Sequence, residues 1–174
     1  MSTLKEIIRS IPDFPIPNIT FRDITTLMQD PDALQEACDL FYEHFKNQEV
    51  DKVVGIEARG FVFGAVLAYR LKVGFVPVRK KGKLPYKTIS QTYALEYGTA
   101  EIEMHEDAIN AGERVIIIDD LIATGGTVEA AIKLVERLGG EVVECGFVIE
   151  LPALNGRELL KNRKIFAILG FEGE

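Results

Sequence analysis

Val115-Ile116-Ile117-Ile118-Asp119-Asp120-Leu121-Ile122-Ala123-Thr124-Gly125-Gly126-Thr127 runs from four β-branched apolar residues through two adjacent acids into a Thr-Gly-Gly-Thr loop. The apolar tetrad predicts a strand buried on both faces. The acids then emerge at its C-terminal end, where open α/β sheets bind ligands. Gly125 and Gly126 permit left-handed backbone angles and close approach of a ligand to main-chain N–H groups. A helix predicted from Thr127 adds its N-terminus, and amides, hydroxyls and helix end together make an anion site suited to a phosphate. Acids beside a phosphate cradle fit a phosphorylated sugar, whose hydroxyls donate to the carboxylates at about 1.5–3 kcal/mol per charge-assisted bond. The plain alternative is a tight strand-to-helix turn whose acids merely cap.

Outward from this stretch, Val53–Ile56, Phe75–Val78, Val142–Ile149 and Ile165–Leu169 read as further buried strands, apolar on successive residues. Helical patterns lie between them. Asp30-Pro31 opens one in which Leu34, Ala37, Cys38, Phe41 and Phe45 share a face, with Asp30 as cap. Thr127–Leu138 is a second, with Val128, Ala131, Ile132, Val135 and Leu138 on one face and Gly139-Gly140 ending it. Phe61–Leu71 is a third, apolar nearly all round, which predicts a central position. Alternation of this kind predicts an α/β domain with a mostly parallel five-stranded sheet flanked by helices.

The bulk properties agree. The chain has 174 residues, which fits one domain over 1–174. Its net charge is −7 and its pI about 5.0, which argues against a nucleic-acid footprint. Apolar residues make up 47% and charged residues 27%, the balance of a globular protein rather than a disordered one. The longest apolar stretch, around Phe61–Tyr69, is too short to span a bilayer, and the start Met1-Ser2-Thr3-Leu4-Lys5-Glu6 lacks a signal-peptide pattern. Cys38 and Cys145 cannot make a disulfide framework. The expectation is a cytoplasmic protein with neither nucleic-acid nor membrane partners. His44 and His105 have no metal-ligand spacing with a cysteine, and no Gly-x-Ser-x-Gly elbow occurs.

Three further segments invite a functional reading. Gly55-Ile56-Glu57-Ala58-Arg59-Gly60 follows a predicted strand and precedes a predicted helix, a second N–H-rich anion site. Phe61-Val62 replace the Lys-Ser/Thr that a P-loop needs, so that reading fails. Arg79–Gly98 is a long excursion with five basic residues among its first nine, namely Arg79, Lys80, Lys81, Lys83 and Lys87. Taken alone it reads equally as a solvated loop or as an attractor of polyanions. Ile11–Thr26 carries three prolines with Phe14 and Phe21, which predicts irregular structure packed over something.

These residues resemble the type I phosphoribosyltransferase family. The Val115–Thr127 stretch is similar to its phosphoribosyl pyrophosphate (PRPP) signature. Ile11–Pro15, Phe21–Thr25, Gly55–Phe61, Val78–Pro85 and Tyr93–Gly98 narrow the resemblance to the branch that acts on adenine, over nearly the whole chain. The resemblance implies that fold, with an N-terminal hood over 1–30 and a flexible basic loop over 79–100. It implies transfer of the 5-phosphoribosyl group from PRPP to adenine, giving AMP and pyrophosphate, with Mg²⁺ held mainly by substrate and water and a homodimer as the working unit. Asp119 and Asp120 would orient the ribose, and Ala123, Thr124, Gly125, Gly126 and Thr127 would hold the 5′-phosphate. Glu57, Ala58, Arg59 and Gly60, with a cis peptide after Glu57, would hold the pyrophosphate together with Arg79, Lys80, Lys83 and Tyr97. The basic loop would reach across a dimer interface, with Arg79 the first candidate for that reach. Glu96 would handle the proton at purine N7, and Tyr97 would belong to a lid. Phe21 and Leu121 would sandwich the base, Arg22 and Arg59 would line its pocket, and backbone groups near Thr20 would read its amino edge. Asn18 stands where the family often has Gly, and Asn tolerates the left-handed turn required there. Two rivals remain open. A base other than adenine would show in a competition assay, and a non-catalytic PRPP-binding regulator would need a DNA-binding module or basic surface.

Overall fold

The computed structural model describes residues 3–95 and 98–172. Helix α1 (Leu4–Ile7), strands β1 (Arg9–Ile11) and β2 (Phe21–Asp23), and helices α2 (Thr25–Gln29) and α3 (Pro31–Phe45) come first. The Asp30 carboxylate accepts from the N–H groups of Asp32 and Ala33 at 3.0 and 2.9 Å, so α3 starts at the cap its sequence advertises. There follow β3 (Lys52–Ile56), α4 (Gly60–Leu71), β4 (Gly74–Lys80), β5 (Thr88–Ala94), β6 (Thr99–His105), β7 (Arg114–Ile122), α5 (Gly126–Arg137), β8 (Glu141–Glu150), α6 (Gly156–Leu159) and β9 (Ile165–Gly170).

The main sheet has the order β5-β6-β4-β3-β7-β8-β9. The five apolar runs became β4, β3, β7, β8 and β9, paired in parallel throughout. The sheet has seven strands rather than the five expected, because the basic excursion is not one long loop. It contributes β5, which pairs antiparallel with β6 from Thr88↔His105 to Ala94↔Thr99, and β6 in turn pairs antiparallel with β4. β5 carries polar side chains and no continuous apolar run. A half-exposed antiparallel edge carries alternating residues instead.

Burial on both faces explains the character of the central strands. Val53, Ile116 and Ile118 pack with Phe41, Phe45, Phe63 and Leu67 of α3 and α4 on one face. Val54, Val115 and Ile117 pack with Val128, Ile132 and Val135 of α5 on the other. Successive residues therefore serve opposite layers. Helix α4 takes the central position expected of it, over β3, β7 and β4 in the middle of the sheet, but it is not buried all round. It buries Phe63, Leu67 and Ala68 but leaves Val66 37% and Tyr69 84% exposed. No helix among the described residues is long and apolar enough to cross a membrane.

The proline-rich segment is more ordered than expected. β1 and β2 form a two-stranded antiparallel ribbon, Arg9↔Asp23 to Ile11↔Phe21. Asp23 accepts from the Thr25 hydroxyl at 2.6 Å and from Arg9 Nε at 3.1 Å, and these bonds lower its carboxyl to about 2. Between the strands, Phe14–Pro15 is cis and Asn18 sits at φ +68°, the left-handed angle the turn demands.

Candidate active site

The C-terminal ends of the parallel strands meet at a cavity of about 240 Å³. Its floor is the continuous run from Asp119 to Val128, and its remaining walls are Phe21 and Arg22 of β2, Arg59 and Phe147. The predicted sugar acids, phosphate loop and base-stacking residues therefore converge on one opening.

The acids differ in setting. Asp120 is buried and hydrogen-bonded to Arg59 Nε. Asp119 accepts the Asp120 N–H at 2.8 Å through Oδ1. Burial, then the neighbouring Asp120 carboxylate, pushes the Asp119 carboxyl well above its ordinary value.

Gly125 caps α5 at φ +86°, and residues 123–127 all line the cavity at the N-terminal end of that helix. A Cβ at Gly125 would lie 2.9 Å from the Gly156 carbonyl oxygen, and one at Gly156 would lie 2.4 Å from that of Ala123. The cradle is therefore backed by the backbone of α6. Gly156 escaped the sequence reading; its one signal was Asn155-Gly156, a turn dipeptide with Asn155 at φ +55°.

The second loop docks on the first. A Cβ at Gly60 would meet the Ile118 carbonyl oxygen at 2.7 Å and Asp119 Oδ1 at 3.0 Å. Only glycine lets α4 begin this close to the acid pair. The Glu57–Ala58 peptide is cis. Glu57 does not face the cavity; its carboxylate accepts from Arg79 Nε at 3.2 Å, Arg79 Nη2 at 3.3 Å and the Lys80 N–H at 3.0 Å. The Arg79 bonds hold its carboxyl below the usual glutamate range.

Other predicted residues are placed as follows. Phe21 and Leu121 are half-buried on the cavity wall, and Phe21 meets Phe14 edge-to-face at 5.4 Å. Arg22 donates to Ser10 Oγ at 2.6 Å and lies over the Phe171 ring. Thr20, Ala58, Lys80 and Lys83 are not among the cavity's lining residues. Glu96 and Tyr97 lie outside the described residues. The carbonyl of Ala94 is 3.4 Å from where a Gly126 Cβ would stand, so the β5 end abuts the cradle.

Residues 23–169 match the phosphoribosyl transferase domain family. The adenine phosphoribosyltransferase of Desulfosudis oleivorans is 61% identical over 98% of this chain and 99% of that one. The crystal structure of adenine phosphoribosyltransferase from Thermoanaerobacter pseudethanolicus superposes with a TM-score of 0.93 at 50% identity, covering 97% of this chain and all of that one. The Saccharomyces cerevisiae enzyme, solved with an imino-altritol bisphosphate and adenine, gives 0.90 at 45% identity over 95% and 96%. With an acid pair and an amide cradle at the strand ends, and this likeness end to end, the chain belongs to the adenine phosphoribosyltransferase family of phosphoribosyl transferases.

Proposed function

We propose that this chain transfers the 5-phosphoribosyl group of PRPP to adenine, releasing AMP and pyrophosphate in purine salvage. The observation that carries the reading is the single cavity in which Asp119 and Asp120 adjoin the 123–127 cradle while Phe21 and Leu121 form a wall for a flat base. The bisphosphate and adenine named for the yeast relative are the same pair of chemistries. The cradle amides hold the 5′-phosphate and the acids accept from the ribose hydroxyls. Fixing both substrates in one cavity supplies most of the acceleration, with cations stabilising the departing charge. The 1–30 segment acts as a hood over the base, with Arg22 and the backbone near Thr20 at its edge.

Mg²⁺ fits as a substrate-borne ion. In this reading the ion takes most of its ligands from substrate oxygens and water, as Mg²⁺ does with phosphorylated substrates. Bound there, it neutralises pyrophosphate charge. A homodimer is the proposed working unit.

The cations of the basic segment bring the leaving pyrophosphate its counter-charge, and their pairing sorts them. Arg79, the first candidate for reaching a neighbour, is engaged on its own chain's Glu57, and Lys81 Nζ is 2.8 Å from Glu101. Among the described residues, Lys80, Lys83 and Lys87 make no ion pair within 4.0 Å, which leaves Lys80 and Lys83, the two expected at pyrophosphate, available to it.

The test is turnover with adenine, guanine, hypoxanthine and xanthine in competition. Adenine consumption with AMP formation is expected, and preference for an oxopurine overturns the reading. Glu96, proposed to manage the N7 proton, gives a second check. Glu96→Ala lowers kcat by about 10²–10⁴-fold with PRPP binding little changed, and equal kcat removes that role.

A further inference from the structure

We infer that Glu103 is a positioning residue that holds the Lys80–Lys83 turn in the shape that presents its cations, an assignment resting on the pyrophosphate role proposed for that turn. Glu103 lies on β6, away from the residues lining the cavity, and is only 4% exposed. A carboxylate so buried normally needs a cationic partner. Among the described residues it forms no ion pair within 4.0 Å; Arg79, its partner in the β4 register, is docked on Glu57, and Lys81 is paired with Glu101.

Its partners are instead amides of the turn. Oε1 accepts from the N–H of Lys83 at 3.0 Å and of Leu84 at 2.9 Å, and Oε2 faces the Thr88 hydroxyl at 3.4 Å. Burial by itself would raise the carboxyl; the amides of Leu84, Gly82 and Lys83 outweigh it and leave the group below its ordinary value. At its start the turn is tied by Lys81 N–H to the Glu101 carbonyl at 3.1 Å. At its tip Gly82 sits at φ +81° with nothing within 4 Å of its missing Cβ, and Lys83 N–H reaches the Lys80 carbonyl at a long 3.3 Å, so Glu103 supplies the shorter bonds to the Lys83 and Leu84 amides.

The other side of the Lys83 peptide is held as well. Its carbonyl accepts from Arg79 Nη1 at 3.2 Å, and the same guanidinium is docked on Glu57. Lys83 is therefore gripped at its N–H by Glu103 and at its carbonyl by Arg79, in a chain that ends at the Glu57–Gly60 loop. The side chains of Lys80 and Lys83 are left to carry charge outward. A carboxylate at 103 thus lowers the net positive charge of the segment while fixing its shape, and the two effects on an anion have opposite signs.

That opposition makes the test sharp. Binding of magnesium pyrophosphate and of adenine is measured by calorimetry on the full chain, with thermal melts, for Glu103→Ala, Glu103→Gln and Glu103→Asp. Glutamine keeps an acceptor at full reach without the charge; aspartate keeps the charge but falls short of the amides. If Glu103 positions the turn, Glu103→Ala and Glu103→Asp weaken pyrophosphate binding about tenfold. Glu103→Gln then stays within about threefold of the parent, and adenine binding is unchanged in all three. If Glu103→Ala does not fold, the contrast between glutamine and aspartate decides. Pyrophosphate binding that is unchanged or tighter in Glu103→Ala or Glu103→Asp overturns the assignment, as does parallel loss for adenine. Lys80→Ala with Lys83→Ala separates this from the underlying reading. If that pair leaves pyrophosphate binding intact, the role of the turn itself fails. If it weakens binding and the Glu103 variants do not, only the assignment to Glu103 fails.

Discussion

Replacing both sugar acids, Asp119→Asn with Asp120→Asn, is expected to lower AMP formation by about 10²–10⁴-fold, the worth of two charge-assisted bonds at roughly 1.5–3 kcal/mol each. The protein should stay folded, because asparagine at 119 keeps an oxygen for the Asp120 N–H that Asp119 Oδ1 now accepts at 2.8 Å. Arg59, 46% exposed on its side chain, can find water when Asp120 is neutralised. The single Asp119→Asn variant adds a stability signature. Burial and the Asp120 charge raise the folded carboxyl above its unfolded value of 3.8. Such an acid is harmless while protonated and destabilises the fold increasingly as pH rises above the unfolded value. Asp119→Asn should therefore melt higher than the parent at pH 7, with the difference vanishing below the unfolded value. Near-parental turnover in the double variant, or a lower melting temperature for Asp119→Asn at pH 7, refutes this account of the acids.

Adding one methyl group behind the cradle is expected to have the next largest effect. Gly125→Ala and Gly156→Ala should each raise KM for PRPP about tenfold or more, since a loop displaced by even an ångström loses its aligned amides. The two substitutions strike neighbouring contacts of one interface: a Cβ at 125 meets the Gly156 carbonyl oxygen at 2.9 Å, and one at 156 meets the Ala123 carbonyl oxygen at 2.4 Å. Gly125 adds the cost of a side chain at φ +86°. Gly112→Ala isolates that cost, for Gly112 has φ +84° and nothing within 4 Å of a Cβ. It should lower stability by about 1–2 kcal/mol and leave KM alone. Equal KM values for Gly156→Ala and the parent would show that α6 does not support the cradle.

The legible part of this site was the part written contiguously. Asp119, Asp120 and the 123–127 loop lie on one strand-to-helix connection, so their spacing alone brought them to one place. The cap at Asp30 was readable for the same reason, since it depends on neighbours a few residues away, whereas the left-handed Asn18 was legible only through the family resemblance. The β5–β6 pairing was not, because its polar alternation makes sense only at the edge of a sheet whose edge the sequence does not mark. Glu103 and Gly156 were missed outright. One looks like any strand acid and the other like any turn glycine until the chains they face are known.

The sequence by itself determined the α/β alternation, the five parallel strands and the acid–cradle unit, because hydrophobic period and local turn chemistry act over a few residues. Among the described residues, the tertiary structure decided which cations stay unpaired, which glycines must lack a Cβ and which carboxylate is buried without a counter-ion. Those properties belong to contacts between segments about 20 to 60 residues apart along the chain, such as Lys83 with Glu103 and Arg59 with Asp120. Charge pairing and steric exclusion fall off within a few ångströms, so they exist only once folding has brought the partners together.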